Sequence, residues 1–217
     1  MSHKRVTLSF DNGPSARVTP FVLGELQQRG MAAWFFLVGT QLQASGARDI
    51  AHQAILEGHR IANHSMTHRV ALGDDPSVEC AEREVGGMHE LMCSALQEWG
   101  TPWFRPFGRG GALGPHLFSA AALNELTQLE YSVLLWNSVP RDWENPDGWV
   151  ETALADLSQR EHTVVVLHDL PTGAMDQLPR FLDALSDLSV EVTLDVPPDC
   201  VPMRAGAYQW DVASLTR

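Results

Sequence analysis

Seven short runs rich in β-branched and aromatic residues, at about 3–9, 31–38, 59–63, 102–105, 131–137, 162–168 and 190–195, recur along the chain with amphipathic stretches between them. This alternation predicts strands and helices in turn, with helices over 18–29, 46–57, 76–99, 115–128, 146–160 and 173–188. Leu154 and Leu157 in one stretch, and Leu178, Phe181, Leu182 and Leu185 in another, have the spacing of a single helical face. Gly30, Gly58 and Gly100 stand where the first three helices should end. Strands joined one after another by helices run parallel with right-handed crossovers, so the fold class is α/β, as an open doubly wound sheet or a closed barrel. No repeat or break in composition marks a linker, and residues 1–217 are expected to form a single domain. The proline-rich segment Val196–Pro202 ends the pattern and leaves 197–217 as an ordered C-terminal tail against that domain.

Charge and hydropathy narrow the partners. Fifteen basic against 27 acidic residues give a net charge of −12, which repels a phosphate backbone, so no nucleic-acid partner is expected. No apolar run approaches the roughly 20 residues needed to span a bilayer, so no membrane partner is expected either. Only a few apolar residues precede Asp11, too few for a secretory core. Cys80, Cys93 and Cys200 form no C-x-x-C pair, and an odd number of thiols without an export signal suits a reducing compartment. A cytoplasmic location is therefore expected, where the Asn63-His64-Ser65 sequon carries no meaning. Nothing in the sequence sets the oligomeric state.

The polar residues fall at the carboxyl ends of the expected strands: Asp11 and Asn12 after the first, His64 and His68 after the third, Arg105 at the end of the fourth, Asp142 after the fifth, His168 and Asp169 at the sixth. In a parallel barrel those ends share one face, so residues distant in sequence can meet in one pocket. Two histidines four residues apart can reach one cation, with Asp11 or Asn12 nearest as a third ligand, although such a pair alone is weak evidence. His168 tips a strand that otherwise reads as buried; a structural histidine is the plain alternative to a proton donor. The stretch from Phe104 to Gly114 is glycine-rich but has Leu113 where the dinucleotide fingerprint needs glycine. Its informative residue is Arg105, which needs a carboxylate if buried, from Asp11 or Asp142. Trp143 beside Asp142 suits stacking on a sugar face, whereas Cys80 and Cys93 read as packing.

Five segments taken in order, Phe10-Asp-Asn-Gly-Pro14, His64-Ser-Met-Thr-His68, Arg105-Pro-Phe-Gly108, Trp136 to Trp143, and Val165-Val-Leu-His168, resemble the polysaccharide deacetylase family, also called carbohydrate esterase family 4, over residues 5–195. The resemblance implies a distorted parallel (β/α)7 barrel that hydrolyses non-peptide carbon–nitrogen bonds by N-deacylation of an acylated amino sugar or a related small saccharide substrate. It implies Asp11 as the base, oriented by Arg105, and His168 as the acid, positioned by Asp142. His64 and His68 would hold a divalent metal, zinc or a similar ion, that activates water. Val165 and Leu167 would line the pocket for the acyl methyl, and a backbone N–H near Phe107 would bind the oxyanion. The family's usual third ligand is a second aspartate, where this chain has Asn12. An amide oxygen is neutral and a weaker donor, which leaves three outcomes: a weakly held metal, a metal-independent ring-amide hydrolase of the kind that opens allantoin, or a saccharide-binding barrel without catalysis.

Overall fold

The computed structural model describes residues 4–96 and 99–217. Its organising strand is β1 (Arg5–Asp11), whose successive side chains part to opposite faces. Val6, Leu8 and Phe10 enter the apolar layer under the helices, and Thr7, Ser9 and Asp11 face the other way. β1 pairs in parallel along its full length with β6 (His162–His168), a register that sets Asp11 opposite His168. It also pairs with β2 (Trp34–Leu37) through Ser9–Asp11 and with β7 (Glu191–Val192) through Arg5 and Val6. From β2 the sheet continues in parallel through β3 (Arg60–Asn63), β4 (Trp103–Phe104) and β5 (Ser132–Val133). An isolated parallel bridge between Ser138 and Val165 brings the chain after β5 back to β6, curling the seven parallel strands into a distorted (β/α)7 barrel.

The helices pack outside this sheet. They are α1 (Thr19–Gln28), α2 (Gly39–Leu42), α3 (Ala47–Leu56), α4 (Val78–Ala81), α5 (Gly87–Leu96), α6 (Ala120–Gln128), α7 (Trp149–Ser158) and α8 (Leu178–Asp187). Ser77 and Ser119 cap α4 and α6 by accepting the backbone N–H groups of Cys80 and Ala122. α8 buries Leu178, Phe181, Leu182 and Leu185, the stripe visible in the sequence. Inside the barrel a second apolar cluster, Trp34, Phe36, Ala62, Trp103, Leu134 and Val164, fills the space between the strands.

The structure departs from the sequence expectation in several places. The helix expected over 76–99 is two helices joined by a π-helical turn at Glu82–Gly86, and positions 97 and 98 lie outside the described residues, as does the expected start of β1 at position 3. The helix expected from 115 begins at Ala120, where Ser119 supplies the cap, and the first turn of the helix expected from 173 is a 3₁₀ turn at Ala174–Gln177. α2 is too short to show a periodicity. The tail does more than lie against the sheet: β8 (Met203–Arg204) pairs antiparallel with β5 and forms a hairpin with β9 (Ala207–Tyr208), adding two strands. No helix among the described residues is long and apolar enough to cross a membrane.

Candidate active site

A cavity of ≈ 500 Å³ opens at the carboxyl ends of the parallel strands, lined by Asp11, Asn12, His64, His68, Phe107, Trp143 and His168. Each arrives there for a local reason. The β1–β6 register places Asp11 and His168 side by side on the inner face. Asn12 follows with φ 75°, a left-handed conformation in which asparagine is enriched. Ser65 and His68 also have positive φ, at 69° and 54°, and the turn that contains them is tied down by Glu84. That buried carboxylate accepts the Thr67 N–H at 2.9 Å and the Thr67 hydroxyl at 2.8 Å, and its own carbonyl accepts the Met66 N–H at 2.9 Å. Glu84 lies in the π-helical turn, so the irregularity in the long helix holds the loop that carries His68.

Two ion pairs organise the chemistry. Arg105 is fully buried and donates from Nη1 to Asp11 Oδ1 at 2.8 Å and to Ser9 Oγ at 2.7 Å, while its Nε reaches the Leu134 carbonyl at 3.2 Å. The guanidinium also lies over the Phe36 ring, 3.8 Å from its centroid. Of the two acids that could have paired with Arg105, it is Asp11 that does. Asp142, also fully buried, accepts the His168 backbone N–H at 3.0 Å and the Nδ1–H of its ring at 2.8 Å. With Nδ1 so held, Nε2 is the ring atom free to exchange a proton. Burial alone lowers the His168 pKa, but the hydrogen bond and charge of Asp142, with a contribution from Asp11, outweigh it and leave the group above its ordinary value. Trp143 meets the His168 ring edge to face at 4.7 Å.

The histidine pair has the opposite electrostatics. Desolvation dominates at both rings and pushes their pKa values down to about 3, so both are neutral at pH 7. His64 donates its Nδ1–H to the Arg105 carbonyl at 2.8 Å, which leaves a lone pair on Nε2 facing Asp11 Oδ2 at 3.5 Å. Two acceptors thus confront each other in a buried site. Asn12 Oδ1, a third acceptor, is buried without a hydrogen-bond partner among the described residues. The His64 and His68 ring centroids lie 4.6 Å apart. Neutral imidazoles, an orphaned amide oxygen and an unshared carboxylate oxygen form a donor set that fits a divalent cation. It is a thin one, since no group of three His, Cys, Asp or Glu side chains among the described residues is arranged to hold a metal.

Phe107 lines the cavity against His68, with centroids 4.3 Å apart. Val165 and Leu167, expected to line the acyl pocket, do not. Both are fully buried in the layer under the helices, and Val166 lies in the cavity wall instead. The reason is the pleat: residues at odd offsets from His168 point to the opposite face of β6, so only even offsets share its pocket. Sequence reasoning also missed Ser9, whose period-two relation to Asp11 could have found it, and Trp136, Val139, Arg141 and Glu144 in the wall.

Residues 1–134 match the polysaccharide deacetylase family. The chain is 29% identical to a chitooligosaccharide deacetylase of Rhizobium leguminosarum bv. trifolii over 168 residues, covering 76% of this chain and 72% of that protein. It is 30% identical to a peptidoglycan-N-acetylglucosamine deacetylase of Bacillus cereus over 172 residues, covering 77% and 74%. Its fold is shared with a family 4 carbohydrate esterase from Streptomyces lividans solved in complex with acetate, at a TM-score of 0.73 and 24% identity, covering 96% of this chain and all of that one. The chain belongs to the polysaccharide deacetylase family.

Proposed function

We propose that the protein is a hydrolase that removes the acyl group from an N-acylated amino sugar or a small saccharide conjugate. The observation that carries this reading is the adjacency of Asp11 and His168 across one strand pairing, each fixed by its own buried partner, in a cavity that also holds two neutral imidazoles. Asp11, with Oδ1 occupied by Arg105, accepts the proton of the attacking water through Oδ2. His168, with Nδ1 committed to Asp142, delivers a proton from Nε2 to the departing nitrogen, the step without which an amine does not leave an amide carbon. The products are a carboxylic acid and the free amino sugar. A backbone N–H at Phe107 is placed in this scheme as oxyanion donor, and Trp143 as the wall on which a sugar face stacks. Val166 takes the part of the acyl-pocket residue.

A divalent cation held by His64, His68 and Asn12 would polarise the carbonyl and acidify water. In this reading Asn12 stands for the family's second aspartate, and its neutral oxygen makes the cation weakly held. The test is release of acetate and free amine from N-acetylglucosamine oligomers by the wild type and by His168→Ala; saccharide binding without release by the wild type would overturn it. A metal-independent ring-amide hydrolase is the second reading, favoured by the thin ligand set. Turnover of a cyclic ureide that persists in excess chelator would select it.

A further inference from the structure

A second cavity of ≈ 500 Å³ lies at the opposite mouth of the barrel. Its wall is made of strand beginnings: Arg5 opens β1, Trp34 opens β2, Arg60 opens β3, Trp103 opens β4 and His162 opens β6. Register pairs Arg5 with His162 and Trp34 with Arg60, and all four line this one cavity. Arg204 of β8 and the segment from Leu194 to Pro198 close the far side. Strand beginnings in a parallel barrel ordinarily serve stability, which apolar contacts provide without charge. Here three arginines converge in a protein whose net charge is −12.

Among the described residues, none of Arg5, Arg60 and Arg204 takes part in an ion pair. Arg204 is oriented all the same, with its guanidinium over the Trp103 ring at 5.1 Å, and Trp103 is in turn braced edge to face by Trp34 at 5.1 Å. Stacking on an indole leaves the N–H edge of a guanidinium available for a planar or tetrahedral anion. Asp195 is the one carboxylate on the lining among the described residues; it cannot neutralise three cations, but it can accept hydroxyl hydrogen bonds. The space is far larger than an inorganic ion requires and lies in the range of small-molecule sites.

We propose that this mouth is a binding site for a small hydroxylated organic anion, a sugar phosphate or a sugar acid, distinct from the deacylation cavity. The phosphate or carboxylate meets the arginine edges, and ring hydroxyls meet Asp195. The proposal does not depend on the reaction assigned to the other end of the barrel.

Isothermal titration of the full chain with glucose 6-phosphate, glucuronate, inorganic phosphate and glucose tests it, with nuclear magnetic resonance of the Trp34 and Trp103 indole N–H groups to locate binding. Glucose 6-phosphate or glucuronate is expected to bind and shift both indoles, the stronger of the two identifying the anionic group, with inorganic phosphate weaker and glucose silent. Arg60→Gln and Arg204→Gln, both at exposed side chains, should each weaken binding by about ten-fold or more and leave acetate release unchanged. Equal binding of glucose and its phosphate, equal binding of inorganic phosphate, unchanged affinity in the double variant, or no binding at millimolar concentration would each overturn the proposal. So would loss of binding in Arg109→Gln, which would move the ligand to the other cavity, whose wall includes Arg109.

Discussion

Removing the Arg105 guanidinium should destabilise the protein far more than loss of a surface charge. Arg105 is fully buried and serves four acceptors: Ser9 Oγ, Asp11 Oδ1 and the carbonyls of Leu134 and Leu135. Arg105→Met keeps the volume and the contact with Phe36 but leaves the Asp11 carboxylate, itself only 4% exposed, without its counter-charge. Breaking one side of a buried pair costs about 3–5 kcal/mol, because the surviving charge stays desolvated. At about 2–4 °C per kcal/mol for a chain of this size, the melting temperature should fall by roughly 6–20 °C. Urea denaturation should show the same loss as a lower midpoint with an unchanged slope. Asp11→Asn strands the cation instead, and the double variant Arg105→Met/Asp11→Asn removes both charges, so it should lose less than the sum of the single changes. Single-variant losses below about 1 kcal/mol, or additivity within about 0.5 kcal/mol, would refute the claim that this pair is a coupled unit.

Four further outcomes follow from the site. His168→Ala should lower turnover by about 10²–10⁴ with the fold retained, as read by circular dichroism. Because the proposed reaction uses His168 in its protonated form and its pKa is raised by Asp142, activity should persist below that raised value and fall as pH rises through it; in Asp142→Asn burial prevails, and the falling limb of the pH–rate profile should move to lower pH. Val166→Phe should narrow the acyl pocket and favour formyl over acetyl substrates, whereas Leu167→Ala should cost about 2–5 kcal/mol of stability with acyl preference unchanged. Asn12→Asp should tighten binding of a divalent cation, measured by competition with a chromophoric chelator, by adding an anionic ligand; equal affinity in the two forms would contradict the assignment.

What the sequence disclosed about the fold is what periodicity can encode. Leu178, Phe181, Leu182 and Leu185 write the buried face of α8 directly, and the positive φ of Gly30 and Gly58 matches the ends of α1 and α3 drawn from glycine alone. The π-helical turn has no such trace, because Glu82–Gly86 keeps nearly the same apolar spacing as the helices around it; the irregularity is decided by the hydrogen bonds Glu84 makes to a loop 17 residues away. The β8–β9 hairpin escaped for a related reason. Two-residue strands carry no alternation, and their pairing with β5 depends on where a distant edge lies open.

The site was legible as a set of positions and not as a set of directions. Residues at strand ends could be assigned to one face from the alternation alone, but whether a given side chain enters the cavity depends on parity, and there the motif misled: Leu167 is next to His168 in sequence and on the other side of the sheet in space. Parity is also what joins Ser9 to Asp11 and lets one guanidinium hold both. Asn12 shows a different limit. Compared with aspartate as a ligand it is simply weaker, yet in the structure it also adopts a left-handed backbone that suits it, and its oxygen shares a buried site with His64 Nε2 and Asp11 Oδ2, neither of which can donate a hydrogen bond to it. A site composed of unsatisfied acceptors is costly unless something positive resides there, so the buried oxygens of Asn12 and Asp11 beside His64 Nε2 create an electrostatic demand for a cation that none of the three can meet.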